Sequence, residues 1–265
     1  MNYNITYDLH GKNLAVVIGH PGHELRIHRF IEIYQPYVYV LTDGSGLSGN
    51  SRINKTKDIL DRSGAKLSSV CGYFTDKELY NIILANDVQP LIKLLDQLVE
   101  DFKKHDIQII LGDAYEGYNP THDLCRYLIN FVVKIFKRKW NIDLSNFDFL
   151  LDGHLDGNNQ NESVCINLDE NDFERKYQSA QQYSELSGDI NNAINRYGKE
   201  VFKTECIAHV NNVELIKCSD IPFYEKYGLQ KINDGSYNEV ITYSKHLFPL
   251  VNKLDEYVSH CLKAI

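Results

Sequence analysis

Three histidines carry the most chemistry in this sequence. His20 and His23 stand in GHPGHE, directly after the apolar run Leu14 to Ile18 (LAVVI), and His122 stands in NPTHD, downstream of the apolar run Ile107 to Leu111 (IQIIL). Three neutral imidazoles are the donor count of a catalytic zinc site, which keeps a fourth position open. One such histidine would read as a helix cap or a satisfied polar residue, but two histidine-bearing loops after two strands direct attention to a metal. Carboxylates accompany them. Glu24 closes the first motif, Asp113 and Glu116 precede His122 in GDAYEGYNPTHD, and Asp43 lies in the turn TDGSG. Each of these is a candidate proton carrier, with a turn or capping role as its competitor. Glu116 leads among them, because EGYNPTH lets its side chain reach over the pocket. Tyr115 and Tyr118 could stack on a sugar, although 18 tyrosines make chance placement a strong competitor. Arg26 is a candidate anchor for an anionic substrate group, and His154 in DGHLDG for the pocket lining.

The elements that must position these loops are legible as an alternation of short β-branched runs and longer helical periods, the mark of βαβ units. Strands are expected at Leu14 to Ile18, Tyr37 to Leu41, Ala65 to Cys71, Ile107 to Leu111 and Phe147 to Leu151. Helices are expected at Glu24 to Tyr34, Ser51 to Ser63 with Gly64 as its stop, Asp87 to His105, the stretch from Tyr127 to Phe136, and Asp172 to Leu186. Beyond Gly188 the periodicity fades. In a parallel sheet, ligands bind outside the carboxyl ends of the strands, where all three polar loops would converge.

Composition narrows the partners. Lys and Arg total 28 against 36 Asp and Glu, a net charge of −8 with no sustained basic tract, which argues against nucleic acid or an anionic membrane surface. The densest basic run, Lys134 to Trp140, suits a helix C-terminus. Six cysteines, Cys71, Cys125, Cys165, Cys206, Cys218 and Cys261, show no CxxC and no disulfide spacing. With no apolar run of membrane length and no leader-like N-terminus, a reduced, cytoplasmic protein is expected. No GxGxxG or GxxxxGK[ST] loop follows the first strand, so a dinucleotide or P-loop role has little support.

The three loops together resemble the PIG-L/LmbE-like de-N-acetylase family, which includes the N-acetylglucosaminyl-phosphatidylinositol deacetylases. The likeness rests on HPGHE (His20 to Glu24), TDG (Thr42 to Gly44) and NPTH (Asn119 to His122), where the family has His-Pro-Asp-Asp-Glu, Thr-Asn/Asp-Gly and His-Pro-Asp-His. Weaker matches at RINKTKDILDRSGA and KYQSAQQYSEL extend it over about Asn13 to Glu214. The resemblance implies an α/β fold, a Rossmann-like three-layer sandwich with a mostly parallel sheet, as a single domain over 1–265 whose part from about 188 stays undefined. It implies zinc, or another divalent transition metal, on His20, His23 and His122, with His23 standing where the family has an aspartate. Glu24 then orients the ligands and Asn119 replaces a histidine that stabilises an oxyanion. The largest departure is Gly22, where the family carries its general base. The implied activity is a metal-dependent hydrolase cleaving the amide of an N-acyl amino sugar or related small conjugate. The alternative is a deacetylase-fold protein that binds metal and sugar without deacetylating. The partner is a small-molecule substrate, and the oligomeric state is open.

Overall fold

A computed structural model of the chain describes residues 9–152, 163–218, 220–235 and 237–261. Its strands are β1 (Leu14–Ile18), β2 (Tyr37–Thr42), β3 (Lys66–Phe74), β4 (Ile109–Asp113), β5 (Ser145–Phe149), β6 (Ser163–Asn167) and β7 (Thr204–His209). They form one sheet in the order β3-β2-β1-β4-β5-β7-β6. The first five pair in parallel, and β7 joins both β5 and β6 antiparallel. The helices are α1 (His28–Tyr34), α2 (Ile53–Ser63), α3 (Asp76–Leu84), α4 (Gln89–Lys104), α5 (Pro120–Trp140), α6 (Glu170–Gln181), α7 (Ser187–Tyr197), α8 (Phe223–Asn233) and α9 (Phe248–Cys261).

Strand periodicity divides the core into two layers. In β1, Leu14, Val16 and Ile18 face Phe30 and Ile31 of α1, Leu60 of α2 and Phe173 of α6. Ala15 and Val17 face the other way, toward Leu79 of α3, Leu95 of α4, Leu128 of α5 and Leu254 of α9. All five residues of β1 are buried, as a central parallel strand covered on both sides requires. On α4, Leu91, Leu94, Leu95, Leu98 and Phe102 are all buried as one stripe, each contributing roughly 1.5–3 kcal/mol of apolar burial. The result is the expected mostly parallel α/β sandwich.

Several local features differ from the sequence reading. The helix expected from Glu24 begins as a 3-10 turn, His23–Ile27, and becomes α-helical at His28. Helix α3 is an addition: Thr75 and Glu78 form a reciprocal capping box that starts it straight after β3. The helix expected over Asp172 to Leu186 ends at Gln181 and is followed by a separate 3-10 turn, Ser184–Leu186. Strand β7 lies in the region where periodicity fades, and β6 follows a glycine- and asparagine-rich stretch. The reading of six unpaired cysteines is corrected by a disulfide between Cys165 and Cys206, which face each other across β6 and β7. These two are 41 residues apart, so only the antiparallel register brings them together. Disulfides are uncommon in reducing compartments, so the cytoplasmic expectation loses its cysteine argument. Among the described residues, no helix is long and apolar enough to cross a membrane. His154 lies outside the described residues.

Arg126 ties the sheet to α5 from within. It is 1% exposed, its Nε donates to the Asp113 carbonyl at 2.7 Å, and its terminal nitrogens donate to the Asn146 side chain at 2.9 Å and the Phe147 carbonyl at 3.1 Å. Removing a buried donor leaves acceptors without partners. Arg126→Met is therefore expected to lower the unfolding free energy by about 2–4 kcal/mol in urea titrations followed by circular dichroism. A loss below about 0.5 kcal/mol would show that solvent satisfies these carbonyls instead.

Candidate active site

The site forms where the sheet reverses its winding. From β1 the chain passes to α1 on one face, and from β4 it passes to α5 on the other, while β1 and β4 are hydrogen-bonded neighbours. Their carboxyl ends therefore open a crevice between diverging loops. The first loop carries His20 and His23, and the second leads to His122 in the first turn of α5. The backbone N–H of Gly19 donates to Asp113 Oδ2 at 2.7 Å, which closes one loop on the other.

The three imidazoles are mutual neighbours. Ring centroids are 5.4 Å apart for His20 and His23, 5.2 Å for His20 and His122, and 4.5 Å for His23 and His122, all edge to face. His23 Nδ1 lies 2.9 and 3.0 Å from the two oxygens of Asp113. His20 Nδ1 lies 2.7 Å from Thr42 Oγ1 and 3.1 Å from Asp76 Oδ1. Thr42 gives its own proton to the Gly19 carbonyl, so its oxygen accepts from His20. Carboxylates at both Nδ1 atoms favour the tautomer with Nδ1 protonated, which leaves Nε2 as the lone-pair nitrogen.

Burial lowers the pKa of His20 and, more strongly, that of His122, where the neighbouring rings add to the effect. Both rings are thus neutral near pH 7, the form that ligates metals. Burial works to raise the Asp76 carboxyl, but its hydrogen bond and charge interaction with His20, helped by Thr42 and the Gly46 N–H, together hold it below the usual carboxylate range. Among the described residues, no group of three or more His, Cys, Asp or Glu side chains is arranged to hold a metal ion. The donor chemistry nevertheless fits a cation. His20 Nε2 and His122 Nδ1 are buried without hydrogen-bond partners, and the Asp76 and Asp113 carboxylates stand behind two of the three rings.

Gly22 adopts φ 108°, a left-handed conformation that favours glycine. A Cβ there would lie 2.4 Å from Leu186 Cδ1. The space in which an aspartate at 22 would project is therefore filled by the 3-10 turn before α7. Beside it, Glu24 is fully buried, accepts the Gly22 N–H at 2.8 Å and accepts the hydroxyl of Tyr183. Burial raises the Glu24 carboxyl above its ordinary range. Glu24 shapes the loop that carries the histidines.

The other sequence candidates have definite places. Asp113 faces His23 with both oxygens. Asp43 Oδ1 accepts the Ser45 N–H at 2.9 Å and hydroxyl at 2.6 Å and the Asp76 N–H at 3.3 Å, so it builds the turn behind His20. Asn119 caps α5 by accepting the Thr121 N–H at 2.8 Å. Glu116 accepts the backbone N–H groups of Leu151 and Asp152 at 2.7 and 3.1 Å, and burial pushes its carboxyl up to about 7. Arg26 donates to the Leu150 carbonyl at 3.1 Å, lies over Phe202, and is within electrostatic reach of Glu116, Glu205 and Asp152. These carboxylates already balance its charge. Tyr118 is exposed and stacks toward His122 at 6.3 Å. Residues that sequence reasoning missed are Asp76, Tyr183 and Leu186, while Thr42, read there only as part of the TDG turn, supports the His20 ring. For Asp76 a signal existed in TDKE, a capping box directly after a strand.

No family model matches the sequence, and no curated protein is similar to it in sequence. Solved structures are similar in fold. A triple mutant of a deacetylase involved in the teicoplanin biosynthetic pathway superposes with a TM-score of 0.51 at 14% identity, covering 76% of this chain and 100% of that one. The conserved protein TT1542 from Thermus thermophilus gives a TM-score of 0.50 at 12% identity, covering 79% and 99%. The chain thus shares the α/β fold of these solved structures, the fold that the LmbE-like resemblance implied.

Proposed function

We propose that this protein is a metal-dependent hydrolase that removes the acyl group from an N-acylated amino sugar or a related small conjugate. The observation that carries the reading is the trio of adjoining imidazoles, two of them backed by carboxylates, at the sheet's switch point. His20, His23 and His122 would hold zinc, or another divalent transition metal with the same taste for imidazole. When bound, such an ion polarises the acyl carbonyl and acidifies water.

The chain's own residues supply the rest. Asp76 and Asp113 fix the tautomers of His20 and His23. Asn119 uses its carbonyl in the helix cap, so its amide N–H, which interacts with the Tyr80 hydroxyl in this structure, would be the half to donate to a developing oxyanion. Glu116, about half protonated near neutral pH, gives the proton that the leaving amine requires. Arg26, Asp113 and Asp123 surround it, and the backbone N–H groups of Leu151 and Asp152 keep its carboxyl in place.

A second reading, a protein that binds metal and sugar without deacetylating, is favoured by one observation: Leu186 occupies the space beside Gly22. Gly22→Asp alone meets both a strained φ and this contact, and is expected to create no activity. If the native chain releases no amine while Gly22→Asp combined with Leu186→Ala does, the second reading stands.

Two measurements test the first reading. Zinc competition with a chromogenic chelator should give one ion per chain, lost in His20→Ala and weakened roughly 10–100-fold in Asp76→Asn; a folded chain with no zinc affinity ends the proposal. Amine release from N-acetyl and N-formyl amino sugars should fall as pH rises through about 7, because the acid form of Glu116 is lost there. Glu116→Gln should remove that descending limb and lower turnover roughly 100-fold or more. An unchanged profile in Glu116→Gln assigns the proton to another group.

A further inference from the structure

Among the described residues, most exposed large apolar side chains lie in one region. Of the seven such residues that are exposed among those described, six are Tyr118, Ile221, Phe223, Tyr227, Leu229 and Ile232; only Ile142 lies elsewhere. They occupy the loop before α5 and the start and outer side of α8. The segment is anchored there: the Tyr224 N–H donates to the Gly117 carbonyl at 3.3 Å, and the Tyr224 side chain is buried in the core. Tyr224 thus points inward while Phe223 and Tyr227, one helical turn apart, stay on the surface.

These rings continue the histidine cluster outward. Tyr118 lies 6.3 Å from His122 with planes 25° apart, Phe223 lies 5.0 Å from Tyr118 with planes 5° apart, and Tyr227 lies 5.9 Å from Phe223 with planes 21° apart. Parallel rings in contact are about 3.5–4 Å apart face to face. A centroid distance of 5.0 Å therefore means that Tyr118 and Phe223 are slid past each other. The arrangement is a staircase of offset rings, and Tyr118, Phe223 and Tyr227 are 42%, 50% and 42% exposed. Polar groups border the first step, since Asp152, Asp189 and Arg196 all act electrostatically on the Tyr118 hydroxyl.

We propose that this staircase is a binding subsite for the further sugar units of a glycan whose N-acylated end unit lies at the histidines. The inference deepens the hydrolase reading and rests on it for the identity of the end unit. An alkyl chain gains chiefly by being enclosed, and these rings are half open. A pyranose offers an apolar C–H face to an aromatic ring and hydroxyls to flanking charged groups, which matches the mixed surface here. The stepwise spacing of three rings suits consecutive units, and the first step adjoins His122.

Binding of N-acetylglucosamine and its linear dimer, trimer and tetramer to the zinc-loaded protein, measured by calorimetry, tests this. Affinity should rise from monomer to trimer. Phe223→Ala and Tyr227→Ala should each cut the ratio of tetramer to monomer affinity roughly tenfold. Leu229→Ala, exposed on the same helix but outside the staircase, should leave that ratio unchanged. Equal affinity for monomer and tetramer, no binding of any oligomer, or an intact ratio in Phe223→Ala overturns the subsite. So does a Phe223-dependent preference for an octyl glycoside over the tetramer, which would mark an alkyl site. Self-association lost in Phe223→Ala without any sugar dependence would instead mark a protein contact, and also overturns it. Amine release from the monomer without length dependence removes the subsite and keeps the hydrolase. Length-dependent binding lost in Phe223→Ala, with no amine released by any metal form, does the reverse.

Discussion

The site depends on one buried carboxylate. Asp113 ends β4, is fully buried, and accepts from the Gly19 N–H at the end of β1 and from His23 Nδ1 beyond it. Without that bridge, the two loops would diverge toward opposite faces of the sheet, as the switch in winding directs them. The same residue's carbonyl accepts from Arg126, which α5 brings from below. Gly112, just before it, lets both neighbours approach, since a Cβ there would collide with Ile129 Cδ1 of α5 and with the Val17 carbonyl of β1. Backbone packing, helix position and histidine orientation are thus set by two consecutive residues at the end of one strand.

Where local sequence determines local structure, the fold was legible. LAVVI and YVYVL are strands, and IQIIL overlaps one that begins two residues later at Ile109, because no helical stripe can be drawn through them; the leucine stripe of α4 is a helix for the converse reason. The antiparallel end of the sheet was not legible. The β7 sequence TECIAH contains a buried Glu205 whose carboxylate accepts from the Arg29 and Phe30 N–H groups and from Lys176. A charge at an inward position breaks the apolar alternation by which strands are recognised, and only the tertiary partners make it tolerable. The disulfide was hidden for a similar reason, being a consequence of register and not of spacing.

For the site, the histidines could be read because motifs are local, whereas their supports are long-range. His20 meets Asp76 across 56 residues and His23 meets Asp113 across 90. Glu24 meets Tyr183 across 159. Carboxylates among which sequence reasoning put Glu116 first separate once these contacts exist. Asp113 and Asp76 are committed to imidazoles and Asp43 to a turn, while Glu116 binds only backbone N–H groups, at an elevated pKa. Gly22 changes meaning as well. As a letter it is a missing base; in the structure it is a left-handed turn closed over by Leu186, so the loss of the side chain and the occupation of its space go together.

That pairing bears on how proton handling and metal binding can coexist here. The backbone N–H groups of Glu116 and Gly117 both donate to Asp123 Oδ1, at 3.2 and 3.1 Å. Asp123 immediately follows His122 in the first turn of α5, so the segment bearing Glu116 is pinned to the residue beside a candidate ligand. Its carboxylate end is pinned in turn to the loop after β5 through Leu151 and Asp152. A base at position 22 would have belonged to the β1 loop. Glu116 belongs to the segment between β4 and α5, so the proposed ligand His122 and the proposed acid share one short, doubly anchored segment. On the proposed reading, that anchoring would keep the acid in register with the metal ligand without the residue that Gly22 replaces.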